Sequence, residues 1–125
     1  MQPNETRITL VIGASENPER YAYKAVKMLQ EHGFKLIALG LKPGIIGNIP
    51  IQTTFPKENE IDTVTMYVGP KRQATLIPEI IALKPRRIIF NPGTENPDFI
   101  KLAQDADIET VIACTLVLLA TESYF

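Results

Sequence analysis

Cysteine and histidine are nearly absent: Cys114 and His32 are the only ones in 125 residues. A lone cysteine excludes an internal disulfide and suits a reducing compartment. One cysteine with one histidine gives no basis for a Cys/His metal site, and none is expected. No apolar run approaches the roughly 20 residues that a membrane-spanning helix needs, and the polar residues 1–7 contain no apolar signal region. The expected location is therefore the cytoplasm, away from membranes. Charge excess is missing too. Thirteen basic and 14 acidic residues leave a formal net charge of -1, which gives no electrostatic reason to bind nucleic acid. A small polyanion is compatible with that balance, because it needs only local donors. The length suits one domain, residues 1–125, with a single core and no space for a separate catalytic domain.

What the chain does have is alternation of strand-like and helix-like stretches, arranged around Leu10-Val-Ile-Gly-Ala-Ser-Glu-Asn-Pro-Glu-Arg-Tyr21. Residues 7–12 are mostly apolar and rich in β-branched side chains, as a strand buried on both faces requires. Gly13 breaks the run, and residues 13–17 form a turn. Asn17 is a good helix cap, Pro18 suits the first helical position, and Glu19 complements the dipole. Ala22, Ala25, Val26 and Leu29 then make an apolar stripe, which Gly33 should end in the left-handed conformation with Phe34 packing back. A second strand follows at 35–39, completing a βαβ unit with a right-handed crossover. Unpaired N–H groups at the start of such a helix attract phosphate.

Residues 40–47 are a loop punctuated by glycine and proline, and 49–54 a short strand that Pro50 assigns to the sheet edge. A strand is expected at 62–68. Residues 71–83 have helical spacing, with Pro78 either kinking the helix or marking its start. Another strand occupies 86–90. Asn96-Pro97-Asp98 then repeats the helix opening of Asn17-Pro18-Glu19, and shared capping chemistry accounts for that echo. Phe99, Leu102, Ala103 and Ala106 line the helix, before a last strand at 109–113 and a terminal helix at 115–121. The expected fold is α/β: a Rossmann-like open parallel sheet with helices on both faces, a three-layer αβα arrangement.

Ligands of such sheets sit at the carboxyl ends of the strands, where strand order reverses. The strands at 7–12 and 62–68 should flank that crevice, so loops 13–17 and 68–72 face each other across it. Loop 40–44 lies to one side and 91–94 further along. The turn lacks the full G-x-G-x-x-G fingerprint, having Ser15 and Pro18 where later glycines would stand. The second strand ends in Leu39-Gly-Leu-Lys42, with a cation where a dinucleotide site has an acid for the ribose. NAD is disfavoured. A phosphorylated ribose, as in NADP or coenzyme A, suits Lys42 better, although a solvated loop lysine is an equal reading.

Val11-Ile-Gly-Ala-Ser15, with Pro18, Arg20, Tyr23 and His32-Gly33, resembles the small stand-alone CoA-binding proteins, relatives of the CoA-binding domain of succinyl-CoA synthetase. Pro85-Arg-Arg-Ile-Ile-Phe90 and the closing Glu109-x-Val-Ile-x-x-Cys114 extend the likeness over most of the chain. The resemblance implies a Rossmann-like CoA-binding domain. Gly13, Ala14 and Ser15 would hold the pyrophosphate through main-chain groups and the Ser15 hydroxyl, with Asn17, Pro18 and Tyr21 around them. Lys42 would lie near the adenosine, and Val68, Gly69 and Pro70 would cover adenine or pantetheine. Asn91 and Gly93 complete the expected cofactor-binding set. Arg20 would pair with a phosphate, or else be a surface helix cation. The chain departs from the family pattern at Ala38-Leu-Gly-Leu41 and at Asn91-Pro-Gly-Thr94.

No catalytic set is visible. A nucleophile needs a base and an orienting group, and His32 lies at the far end of the first helix, where it favours the dipole. Cys114 follows the last strand, either as a small buried hydrophobe or as a thiol beside a pantetheine thiol. Glu16 and Glu95 are read as loop acids near helix starts. Tyr21 and Tyr23 point to different helix faces, so one covers ligand while the other packs. The expected function is binding of CoA or an acyl-CoA, non-catalytic or regulatory. The alternatives are an NADP-binding oxidoreductase and a protein-interaction module with an empty pocket.

Overall fold

The computed structural model describes Gln2 and residues 6–125; Met1 and residues 3–5, part of the polar start, lie outside them. At the centre is β1, Thr9–Ile12, whose four residues are all buried. It pairs in parallel with β2, Leu36–Leu39, on one side and with β5, Thr63–Met66, on the other. Beyond β5 come β6, Arg87–Phe90, and β7, Glu109–Ile112, also parallel. Beyond β2 lie β4, Ile49–Gln52, and β3, Gly44–Ile46. The order is β3-β4-β2-β1-β5-β6-β7, and β3 alone runs antiparallel to its neighbour. The direction of winding reverses between β1 and β5. This is the expected open α/β sheet.

Strand residues alternate between two cores, as the two-residue period of a strand requires. Leu10, Ile12, Val64, Met66, Ile88 and Phe90 pack on one face. There they meet Ile80 of α2, Ile77–Ala82, and Phe99 and Ala103 of α3, Pro97–Asp105. Val11, Ala38 and Ile89 face the other way, toward Val26 and Leu29 of α1, Tyr21–Glu31, and Leu119 of α4, Thr115–Ala120. Helices on both faces of a parallel sheet leave its strands no wet side, which explains their continuous apolar runs.

Two local expectations are corrected. The 40–47 loop contains β3, which forms a hairpin with β4, so the strand carrying Pro50 is second from the edge. Ile46 drives this by burying completely against the α1 side of the sheet. Pro50 is tolerated because the β2–β4 ladder pairs only Ala38 and Leu39 with Ile51 and Gln52, past the residue that lacks an N–H. The second correction concerns Asn17, which does not cap α1. Its carbonyl accepts from Arg20 N at 3.0 Å and its side chain from Glu19 N at 3.0 Å. These bonds close a tight Asn17–Arg20 turn with Pro18 at its second position, where its fixed φ fits. The helix starts after that turn, with Arg20 in the capping position. The echo at Asn96 does cap: its side chain accepts from Phe99 N at 3.3 Å. Pro78 marks the start of α2, and Gly33, at φ +80°, closes α1 with Phe34 N returning to the Leu29 carbonyl.

Across the amino-terminal ends of the strands, Asp62 receives Arg86 Nε at 2.9 Å and the second guanidinium nitrogen at 3.0 Å, and the Thr63 hydroxyl at 2.7 Å. Burial raises the Asp62 pKa, but the Arg86 and Thr63 hydrogen bonds and the charges of Arg86 and Arg7 outweigh it, for a net lowering. A depressed folded-state pKa contributes stability above the unfolded value, and that stability is lost as pH falls through the folded one. Asp62→Asn is therefore expected to lower stability at pH 7 by about 1 kcal/mol, since Arg86 is well exposed. Denaturant melts should show the gap closing below the usual carboxylate pKa of about 3.9; an undiminished gap at pH 2.5 contradicts the assignment.

Candidate functional site

Because winding reverses at β1 and β5, the loops leaving their carboxyl ends part and open a crevice between them. A cavity of about 650 Å³ occupies it, within the range of small-molecule sites. Loop 13–17, Arg20 and Tyr21 form one wall, with Leu41, Lys42 and Pro43 at one end. Tyr67, Val68, Gly69 and Arg72 face them, and Pro92, Gly93 and Thr94 close the far side. Of the residues singled out from sequence, Gly13, Ala14, Ser15, Asn17, Arg20, Tyr21, Lys42, Val68, Gly69 and Gly93 thus meet around one cavity. Pro18 shapes the turn behind that wall, and Pro70 opens a short 3-10 helix, Pro70–Arg72. Neither lines the cavity. Tyr21 and Leu41 are 67% and 88% exposed; large apolar groups left bare at a cleft mark a contact surface.

Hydrogen bonding decides which groups of the turn can receive a ligand. The N–H groups of Gly13 and Ala14 both donate to the Leu39 carbonyl, at 3.0 and 2.9 Å. They tie the turn to β2 and are not available to an anion. Those of Ser15, Glu16, Tyr21, Ala22 and Tyr23 have no such partner among the described residues. The last three are the unpaired donors that the first turn of a helix always leaves. The Ser15 hydroxyl accepts from Asn17 N at 3.1 Å and keeps its own proton to donate.

Three residues outside the expected cofactor-binding set, among them the loop acid Glu16, hold the walls in place. Gly40 lies under the turn: a β-carbon there would stand 2.5 Å from the Ala14 carbonyl oxygen and 2.9 Å from Ile51 Cγ2. Glu16 accepts from Ile45 N at 2.9 Å and so fastens β3 to the turn. Gln73, fully buried, donates to the carbonyls of Val68 and Thr94, both at 2.8 Å, and accepts from Asn96 at 2.9 Å. One amide thereby joins two cavity loops and the α3 cap. A polar residue in a loop does not reveal such a role from sequence.

Asn91, expected to touch ligand, has its side chain engaged with protein. Its amide donates to Thr65 Oγ1 at 2.7 Å and to the Met66 carbonyl at 2.8 Å, and its oxygen accepts from Thr115 N at 2.8 Å. It lines a second cavity of about 250 Å³ with Pro92, Cys114 and Leu116, and Tyr21 and Tyr67 wall both cavities. The Tyr67 hydroxyl is buried against the Thr65 and Thr115 hydroxyls, which bond each other at 2.8 Å. Burial, with Cys114 beside it, raises its pKa well above the usual phenol value. His32 lies at the opposite end of α1, its Nδ1 donating to the Met28 carbonyl at 2.8 Å. No group of three metal-ligating acids, histidines or cysteines gathers among the described residues. No described helix is long and apolar enough to cross a membrane.

Fold and crevice together define a Rossmann-like domain with a nucleotide-sized cleft at its switch point. The chain belongs to the CoA binding domain family, whose pattern matches residues 7–120. Among solved structures, an uncharacterised protein is 40% identical, with a TM-score of 0.89 over 96% of this chain and 99% of that one. A hypothetical protein from Pyrococcus horikoshii is 27% identical, with a TM-score of 0.76 over 90% of this chain and 80% of its own. A Thermus thermophilus protein, 19% identical, shares the fold at a TM-score of 0.79 over 95% and 91%.

Proposed function

We propose that this protein binds coenzyme A or an acyl-CoA in the larger cavity, with the pyrophosphate against the Ser15–Tyr23 stretch. The observation that carries the reading is the set of unpaired N–H groups at Ser15, Glu16, Tyr21 and Ala22, residues that line a cavity also bordered by Arg20, Lys42 and Arg72. Family membership supports the ligand class. Backbone donors and the positive helix end favour phosphate, and flanking cations add charge-assisted bonds. Lys42, at the β2 end where an acid would read an unmodified ribose, favours a phosphorylated one. The adenosine then lies over Leu41–Pro43, and Val68 and Gly69 cover the adenine or the start of the arm.

Binding without turnover is the proposed role, because the cavity wall assembles no nucleophile with a base. Calorimetry with CoA, acetyl-CoA, NADP and NAD tests this. The CoA compounds should bind and NAD should not. Ser15→Trp should weaken CoA at least about tenfold, since a hydrogen bond to a charged group contributes roughly 1.5–3 kcal/mol and the indole also occupies the cleft. No CoA binding at millimolar concentration overturns the proposal, and preference for NADP supports the oxidoreductase reading instead.

A further inference from the structure

We propose that the 250 Å³ cavity is an acyl subsite, so that the preferred ligand is a thioester with a short apolar acyl chain rather than free CoA. The inference rests on the CoA reading above. Polarity of binding comes first: a phosphorylated ribose at the β2 end and pyrophosphate at the β1 turn leave the arm of the ligand running toward β5, β6 and β7. The smaller cavity lies on that side, built from Asn91 and Pro92 after β6 and Cys114 and Leu116 after β7. Tyr21 and Tyr67 wall both cavities, so the two adjoin.

Its lining fits an acyl group. The aromatic rings, Pro92, Leu116 and the Cys114 thiol offer apolar contact, while the Asn91 amide is already engaged with Thr65, Met66 and Thr115. At about 250 Å³ the cavity has the size for a short acyl chain rather than a long one.

The test is a calorimetric series on the wild-type chain with CoA and its acetyl, butyryl, hexanoyl and decanoyl thioesters. Affinity should rise by up to about fourfold per methylene through hexanoyl, the fold-change corresponding to full burial of each group, and stop rising by decanoyl. Leu116→Trp, which fills the smaller cavity, should flatten the series. If CoA binds and every thioester lies within about twofold of it, the acyl subsite is wrong while the CoA reading stands. If no member binds, both fail. A Leu116→Trp protein that melts like wild type yet keeps the gradient also overturns the subsite.

Discussion

Replacing Gly13 by alanine is expected to abolish CoA binding and lower stability by about 2–4 kcal/mol, the range for a strained backbone position combined with a steric clash. Gly13 has φ +100°, a conformation that L side chains rarely adopt. Space is lacking as well. A β-carbon would stand 2.9 Å from the Tyr67 carbonyl oxygen, 3.0 Å from its carbon and 3.1 Å from Val68 Cγ2. The first two are backbone atoms of the segment leaving β5, so relief requires the turn and the opposing loop to separate. That movement would also pull the Gly13 and Ala14 N–H groups from the Leu39 carbonyl. At roughly 2.1 cal/mol/K per residue of unfolding entropy, the melting temperature should fall by about 8–15 °C. Thermal melts and calorimetry at a temperature where the variant stays folded separate the two effects. A folded variant that binds CoA like wild type refutes the assignment of the turn.

Asn91→Ala should be as damaging to the fold. The side chain satisfies three buried partners on two elements: the Thr65 hydroxyl and Met66 carbonyl of β5, and the N–H of Thr115 at the start of α4. Alanine removes all three bonds, and the Thr115 amide is left buried without an acceptor. Each unsatisfied group costs about 1–3 kcal/mol, and the Thr65–Thr115 hydroxyl bond next to it is weakened too. A loss of about 3–4 kcal/mol follows, read as a drop of about 10–15 °C in melting temperature. The readout that marks the role is hydrogen exchange at α4, which should accelerate more than at α2. Unchanged stability with a loss of CoA affinity alone would return Asn91 to direct ligand contact.

Much of the fold was legible because its signals are local. Apolar runs at β1, β2, β5 and β6, the closure of α1 at Gly33 and the opening of α2 at Pro78 each follow from a few neighbouring residues. Asn96 capped as its sequence implied. Asn17, with the same neighbours in sequence, instead closed a turn, because the same side chain can serve a cap or a turn and the path of the following backbone decides between them. The β3–β4 hairpin was hidden in a glycine- and proline-rich stretch, and burial of Ile46 became apparent only once a sheet face existed to receive it. Tyr124 carries no local signal of burial. It is fully buried, its hydroxyl bonded to Thr9 at 2.7 Å and its carbonyl to Arg87.

For the site, the loops were legible from topology: once β1 and β5 are neighbours, the segments leaving them must face each other. The division of labour within those loops was not. Gly13 and Ala14 direct their N–H groups to β2, while those of Ser15 and the first turn of α1 stay unpaired. Gly40, Glu16 and Gln73 hold the walls, and Asn91 holds α4. By itself, the sequence determined the α/β class and the switch-point crevice, because those depend on periodicity and turn chemistry. Only the tertiary structure decided which donors remain unpaired and that a second cavity adjoins the first. Hydrogen-bond partners distant in sequence, such as Leu39 for Ala14 or Thr115 for Asn91, exist only after the chain has folded.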